Sequence, residues 1–274
     1  MSSAPDGAIT VDESTIGTVD KDTYRQFYDQ ISQGLATTGL GKLSSFLNFG
    51  YVSVDDQDEA RGELPRRAFN THSVRLAFEL IADTELTGRS VLDVGCGRGG
   101  VAALLATEFG AEVLGVDLSP EAIAFCAETH KHPSVRFEVG DAENLPVGAA
   151  SHDVVTNIES SHTYPDLLAF LSEVRRVLKP GGVFLHTDVL PAQRWPDVRE
   201  ALRENGFEVL DERDITANVL AARDKFGSGR IEVLGEQSAL MENFLAVPGS
   251  AMYEQMTMGS LQYRIMRSRL GGHR

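Results

Sequence analysis

Apolar residues recur along this chain with two different periods. Between 20 and 35, Tyr24, Phe27, Tyr28, Ile31 and Leu35 follow one another at steps of three and four, the spacing of one helix face, so a helix is predicted from Asp20. A second helical stretch runs from about Ala68 to Ala82. From Ser90 onward the pattern becomes short apolar runs separated by helical segments. The runs are Ser90–Val94, Glu112–Val116, Val135–Val139, Asp153–Asn157 and Val183–Val189. Between them lie a helix over Gly99–Phe109, a helix opened by Pro120 that carries Ile123, Ala124 and Ala127, and a helix start at Pro165 and Asp166. Strand and helix in alternation predict an α/β fold with a doubly wound parallel sheet.

Past that alternation, Phe207–Leu210 reads as a sixth strand and Leu261–Met266 alternates as a final antiparallel strand would. Between them, Ile215–Asp224 and Ile231–Leu245 are helical and rich in Met, Leu and Phe, as expected of a lid over an apolar ligand. The first nineteen residues have no apolar period. The expected organisation is a disordered leader over 1–19, a helical cap over 20–88, a core over 89–214, a lid and substrate insert over 215–258, and the last strand with its tail over 259–274.

Composition narrows the function classes. A chain of 274 residues is long enough for one α/β domain with a sizeable core and a cap. Forty acidic residues against 25 Lys and Arg leave a net charge of −15, with no dense basic cluster, which argues against a nucleic-acid substrate. Cys96 and Cys126 stand alone in sequence and are expected to be free thiols. The start, Met1 to Gly7, lacks the basic and apolar regions of a secretory signal, and no apolar run approaches membrane-spanning length. A soluble, cytoplasmic protein is expected, and exposed cap helices leave a homodimer open.

The chemistry concentrates after the first strand. Val91–Gly100 reads Val-Leu-Asp-Val-Gly-Cys-Gly-Arg-Gly-Gly, a strand that closes on an acid and enters a glycine-dense turn, which lets the backbone approach a flat small molecule. Gly95, Gly97 and Gly100 also fit the dinucleotide spacing G-x-G-x-x-G. Asp93 speaks against a dinucleotide: a carboxylate two residues before the first glycine would repel a pyrophosphate and attract a cationic amino group.

The loop Asp93-x-Gly95-x-Gly97-x-Gly99 resembles the first motif of the class I S-adenosylmethionine-dependent methyltransferases. Three further motifs in order carry the resemblance: Gly115–Pro120, Val139–Pro146 and Leu178–Gly182. It covers roughly residues 85 to 190 and implies a Rossmann-like, seven-stranded sheet and S-adenosylmethionine as cofactor. It further implies that Asp93, Gly95, Cys96, Gly97 and Gly99 form the cofactor loop. Asp117, followed by Leu118, would accept from the ribose hydroxyls, and Asp141, followed by Ala142, would lie by the adenine amino group. Glu159 would touch the methionine end, and Tyr28 in the cap would close over the cofactor.

The runs Asp141–Pro146, Glu159–Pro165 and Gly259–Arg264 look like those of the mycobacterial phthiotriol and phenolphthiodiolone dimycocerosate methyltransferases, and of enzymes that tailor polyketides and nonribosomal peptides. A segment similar to Leu47–Tyr51 borders the active-site mouth in such enzymes, which makes Phe49, Tyr51 and, from the loop after strand four, Tyr164 candidate substrate contacts. Those relatives mostly methylate hydroxyls. Nitrogen or carbon acceptors, or a non-methyl reaction such as cyclisation, are the alternatives.

An alcohol must lose its proton as it attacks a methyl group, so a base is needed near the carboxyl ends of the strands. His162 lies in the loop after strand four, and Asp188 at the end of strand five, so a His162–Asp188 dyad is expected. The competing readings are a histidine that caps the next helix or binds the cofactor's carboxylate, and an aspartate that holds a strand-end turn. His186 shares the side of Asp188 and is a reserve candidate expected in the core. His130 and His132 have no further ligands nearby, so no metal is expected there.

Overall fold

The computed structural model describes residues 20–37, 41, 44–54, 70–234 and 239–272, with side chains described outside 36–37 and 226–241. The expected leader over 1–19, the acidic run Asp55–Glu59 and the start of the second helix at 68–69 lie outside the described residues.

The cap contributes α1 (Lys21–Thr37) and α2 (Thr71–Ile81). The alternating core follows: β1 (Ser90–Val94), α3 (Gly100–Phe109), β2 (Glu112–Asp117), α4 (Pro120–Thr129), β3 (Val135–Val139), β4 (His152–Ile158), α5 (Leu167–Val177), β5 (Leu178–Pro191), α6 (Trp195–Glu204) and β6 (Phe207–Asp214). Then come α7 (Thr216–Leu234), α8 (Ala239–Phe244), α9 (Ala251–Met258) and β7 (Leu261–Leu270). The seven strands lie in the order β3-β2-β1-β4-β5-β7-β6, parallel except for β7, which runs antiparallel to both its neighbours. Strand order reverses between β1 and β4, and in such sheets the crevice beyond the carboxyl ends at the reversal is where ligands bind.

Local chemistry places the helix boundaries. Gly99 adopts φ +73° and precedes α3, and Gly110 at φ +65° ends it. Ser119 accepts from the Ala122 amide with Pro120 in the first turn of α4, and Asp166 accepts from the Ala169 amide to start α5. The core fills both faces of the sheet, with Trp195 fully buried and its indole N–H donating to the Gln262 carbonyl at 3.1 Å. No described helix is long and apolar enough to cross a membrane.

Several strands outrun their apolar signal. The fifth strand, expected over Val183–Val189, extends at its end to Pro191 because β7 pairs with it from Val183 through Pro191. At its start it takes in Leu178–Gly182, ahead of the expected start at Val183; a register shift between His152 and Val154 absorbs the irregularity. The sixth strand continues past Leu210 to Asp214, and the last past Met266 to Leu270. Charged residues carry these extensions by pairing across the strands, Arg267 to Asp211 at 2.7 Å and Arg264 to Glu212 at 2.6 Å, so alternating apolarity underestimates both.

The segment between β6 and β7 also differs from expectation. One helix, α7, spans the region where a break was expected, and α8 is short. The helix α9 was not expected, although Ser250 caps it, Met252 and Met256 face the core four residues apart, and Gly259 at φ +79° ends it.

Candidate active site

A cavity opens at the carboxyl ends of β1, β2 and β4, under α1 and the α8–α9 segment. Its base is the loop after β1. The amides of Gly95 and Cys96 both donate to the Val116 carbonyl, and the amide of Gly97 donates to Asp117 Oδ2 at 2.7 Å, which ties the loop to the end of β2. Gly95 has φ +68°, and a Cβ there would come within 1.9 Å of the Ser160 hydroxyl. The backbone is therefore held open toward the cavity by the absence of a side chain.

Arg98, three residues after Gly95, is buried. Its guanidinium donates to the carbonyls of Ser44, Ser32 and Gly41 and to the Ser32 hydroxyl, and lies 3.4 Å over the Phe125 ring. One side chain thus fastens the cap to the glycine loop, with carbonyls rather than a carboxylate around the charge.

Two acids face the cavity from the strand ends. Asp93 accepts from Thr156 Oγ1 at 2.7 Å, while its Oδ2 is buried with no hydrogen-bond partner. Burial pushes its carboxyl up to about 7, with the Asp117 charge adding to the effect and the Thr156 hydroxyl opposing it. Asp117 takes the Gly97 amide on one oxygen and the Ser119 amide on the other at 2.9 Å; burial still raises its pKa.

The state of Asp93 has a consequence for stability. The free carboxyl titrates at 3.8 and the folded one at about 7, so between these values the folded protein keeps a proton that the unfolded chain has released. Stability from this group is fully present below the lower value and is lost as pH rises through the upper one. We expect urea denaturation of the cofactor-free protein to show a flatter fall of stability with rising pH across this window in Asp93→Asn than in the natural sequence. Parallel curves would contradict it.

The expected dyad is present as a contact. After β4 a single turn, Ser161–Thr163, brings His162 to the cavity wall, where Nδ1 lies 2.7 Å from Asp188 Oδ1. The carboxylate can only accept, so the hydrogen-bond pattern assigns the proton to Nδ1 and leaves Nε2 as the basic nitrogen. Asp188 is fully buried and also takes the His162 and Val189 amides and the Ser161 hydroxyl. Burial opposes ionisation of Asp188, yet His162, with His186 and Ser161, outweighs it and holds the carboxyl below its ordinary value. Burial likewise works against an imidazolium at His162, and Asp188 overrides it and raises the ring's pKa.

Other expected positions divide. Gly95, Cys96, Gly97, Leu118, Ala142 and Glu159 line the cavity. Gly99 does not: a Cβ there would meet Cys126 and Phe137 on the far side of the loop. Tyr28 lines the cavity beside Phe27 and Phe244, edge to face with both. Phe49 also lines it, and its amide donates to Glu159 Oε1, which Tyr263 bonds as well at 2.6 Å. Burial pushes the Glu159 carboxyl up to about 7, against those two donors. Tyr51 is buried in the core and is not part of the cavity wall. Tyr164 reaches the cavity, but its hydroxyl is bonded to Ser160 and Asn157 and its ring packs on Phe170, so it braces the glycine loop from behind. Asp141 is held by Lys21 at 2.7 Å, which also pairs with Glu143 at 2.5 Å.

Lys21, Arg98, Ser161 and Tyr263 were not marked by any local pattern. Each acts on a residue 25 or more positions away, or through a backbone carbonyl, so no spacing announces it. The two thiols prove close in space: both sulfurs approach the Gly97 carbonyl, Cys126 at 3.2 Å and Cys96 at 3.9 Å, and both are unpaired by disulfide. His130 bonds the Arg98 carbonyl at 2.8 Å, and among the described residues there is no cluster suited to a metal ion.

Residues 92–186 match the model of a methyltransferase domain. The fatty-acid O-methyltransferase of Mycolicibacterium smegmatis is 34% identical over 231 residues, covering 80% of this chain and 81% of the relative. A probable phthiotriol/phenolphthiotriol dimycocerosates methyltransferase 2 of Mycobacterium ulcerans is 36% identical over 208 residues, covering 74% of this chain and 77% of the relative. In fold, the chain is similar to the crystal structure of the 4+2 cyclase SpnF, with a TM-score of 0.71, 22% identity and coverage of 92% of this chain and 96% of that one.

Proposed function

Because this chain belongs to the class I S-adenosylmethionine-dependent methyltransferases, we propose that it methylates a hydroxyl of a small, hydrophobic secondary metabolite or lipid-like alcohol, with His162 as the base. The cofactor of the family is S-adenosylmethionine, which when bound supplies an electrophilic methyl group on a sulfonium. The residues present fit it. Gly95 and Gly97 leave a cradle that side chains would fill, and Asp93 keeps one buried oxygen open, as suits an ammonium group. Asp117 would hold the ribose hydroxyls, with Leu118 beside it. Asp141 and Ala142 would border the adenine, and Glu159 the methionine end.

The single observation that carries the hydroxyl reading is the His162–Asp188 contact at the cavity wall. Asp188 fixes the tautomer and the ring orientation, His162 Nε2 takes the acceptor's proton, and the buried carboxylate stabilises the resulting imidazolium. A carboxylic acid acceptor would already be ionised near neutral pH and would have no proton for His162 to take. Its charge would also meet Glu159 and Asp188. Part of the chamber wall is apolar, with Phe27, Phe46, Phe49, Phe244 and Met252 along it, which suits a hydrophobic acceptor. We assign its construction to the cap over 20–88 and the insert over 215–258, since α1 and the segment 44–49 supply Phe27, Phe46 and Phe49, and α8 and α9 supply Phe244 and Met252.

The likeness to a fatty-acid O-methyltransferase favours one second reading, ester formation on a carboxylate. Incubation with methyl-labelled S-adenosylmethionine and a matched long-chain alcohol, fatty acid and amine separates the readings by mass spectrometry. The expected product is the methyl ether, with S-adenosylhomocysteine released in proportion. Ester from the acid alone, or product without a new methyl group, would overturn the proposal.

A further inference from the structure

Behind Asp188 lies a second layer of polar groups that the dyad alone does not require. Ser161 sits in the turn after β4 and His186 on β5, two residues before Asp188 on the same side of the strand; all three are buried. Ser161 Oγ lies 2.6 Å from Asp188 Oδ2 and 2.9 Å from His186 Nε2. A serine opening a turn ordinarily bonds a backbone amide; this one bonds two side chains from another strand.

The proton count fixes the direction of the chain. Asp188 is ionised and only accepts, so the single Ser161 hydroxyl proton goes to Oδ2. The contact with His186 must then be supplied by His186, which makes it the Nε2–H tautomer. Its Nδ1 is buried with no partner, and its ring stacks on Phe184 at 5.3 Å and 11° and faces Trp195 at 5.8 Å. A second proton there would be a buried, unpaired cation, and burial accordingly pulls the imidazole down to about 4 despite Asp188. His186 is thus a neutral donor.

We propose that His186 and Ser161 are positioning residues, forming a buried relay from His186 Nε2–H through Ser161 Oγ–H to Asp188 that sets the orientation and proton affinity of His162. The inference rests on the reading of His162 as the base. Asp188 Oδ2 receives the Ser161 hydroxyl and the His162 amide, and Oδ1 receives His162 Nδ1 and the Val189 amide, so every donor on Ser161's side draws charge away from the face that holds the ring. Taking away the Ser161 hydroxyl in this dry site concentrates the carboxylate's charge on His162. The imidazolium is then favoured more, and the ring titrates at higher pH. The other charged or titratable groups acting on the dyad are Glu159 and Tyr164 from the segment after β4, Tyr28 from α1 and Tyr263 from β7. Arg223 of α7 acts on Glu159, and Arg264, opposite Asp188 on β7, is tied to Glu212.

The test needs no acceptor. Protein labelled with 15N-histidine is titrated from about pH 5 to about pH 9, and long-range 1H–15N spectra report tautomer and midpoint for each ring. His162 is expected as the Nδ1–H tautomer when neutral, titrating above the ordinary histidine value, and His186 as Nε2–H and neutral throughout. Ser161→Ala should move the His162 midpoint upward. His186→Phe, which fills the slot between Phe184 and Trp195, should move it in the same direction by less. Retained binding of S-adenosylhomocysteine shows that each variant is folded.

An unchanged His162 midpoint in folded Ser161→Ala, or His186 as the Nδ1–H tautomer, would overturn the relay. With an alcohol acceptor in hand, Ser161→Ala should also move the rising limb of the pH–rate profile upward together with the His162 midpoint. The base reading fails separately. If the spectra follow expectation while His162→Ala keeps full turnover, the relay holds and the assignment of His162 as base falls.

Discussion

His162→Ala should bind S-adenosylmethionine with near-natural affinity and turn over about 10²–10⁴-fold more slowly, the range supplied by a positioned general base. The affinity is expected to survive because the groups assigned to the cofactor, the Gly95–Gly97 loop and Asp117, are held by loop amides donating to the Asp117 carboxylate and the Val116 carbonyl, bonds that do not involve His162. The natural enzyme should also show a rate that rises with pH. A base acts in its neutral form, and Asp188 raises the His162 pKa above 6.5, so the rising limb should have its midpoint above that value. In His162→Ala that limb should vanish along with the rate. Single-turnover kinetics with labelled cofactor across pH checks both statements, and an unchanged rate would remove His162 from the chemistry.

Gly95→Ala should damage cofactor binding itself. The residue has φ +68°, where an L side chain costs about 1–2 kcal/mol. The new Cβ would lie 1.9 Å from Ser160 Oγ and 2.8 Å from the Tyr164 hydroxyl. Those two hydroxyls are bonded to each other at 2.7 Å, and Tyr164 is further held by Asn157, so neither can withdraw without breaking a hydrogen bond. Relieving the overlap costs about another 1–3 kcal/mol, as overpacking typically does. The loop should therefore leave its binding geometry, and affinity for S-adenosylhomocysteine should fall by about thirtyfold to several thousandfold if the whole strain falls on the bound state. Gly148→Ala is the matched control, since a Cβ there meets nothing within 4 Å. Calorimetry on both variants decides it; equal affinities would mean that the loop is not the cofactor cradle.

The two substitutions probe parts of the site that differ in legibility. The loop could be read directly, because Asp93, Gly95 and Gly97 are neighbours in the chain and their chemistry depends on backbone conformation, which short sequence patterns encode. Within that same run, Gly99 could not be assigned correctly from spacing. It is another glycine at positive φ, but its open side faces Cys126 and Phe137, and only the packing of α4 and β3 against the loop decides that. Tyr51 is a similar case: it shares a segment with Phe49, yet the one lines the cavity and the other is core.

By itself, the sequence determined the alternating sheet, the helix starts at Pro120 and Asp166, and the acids at the ends of β1 and β2. These follow from local periodicity, capping and turn chemistry, which act over a few residues. It also marked His162 and Asp188, since both fall at the carboxyl ends of neighbouring strands. Only the tertiary structure decided what surrounds them. The length of the last two strands rests on ion pairs between β6 and β7, the closure of the cap on Arg98 and Lys21, and the state of His162 on Ser161 and His186 behind Asp188. The physical reason is common to all three: hydrogen bonds and charges buried between distant segments act through space at a few ångströms, whatever the number of residues between them.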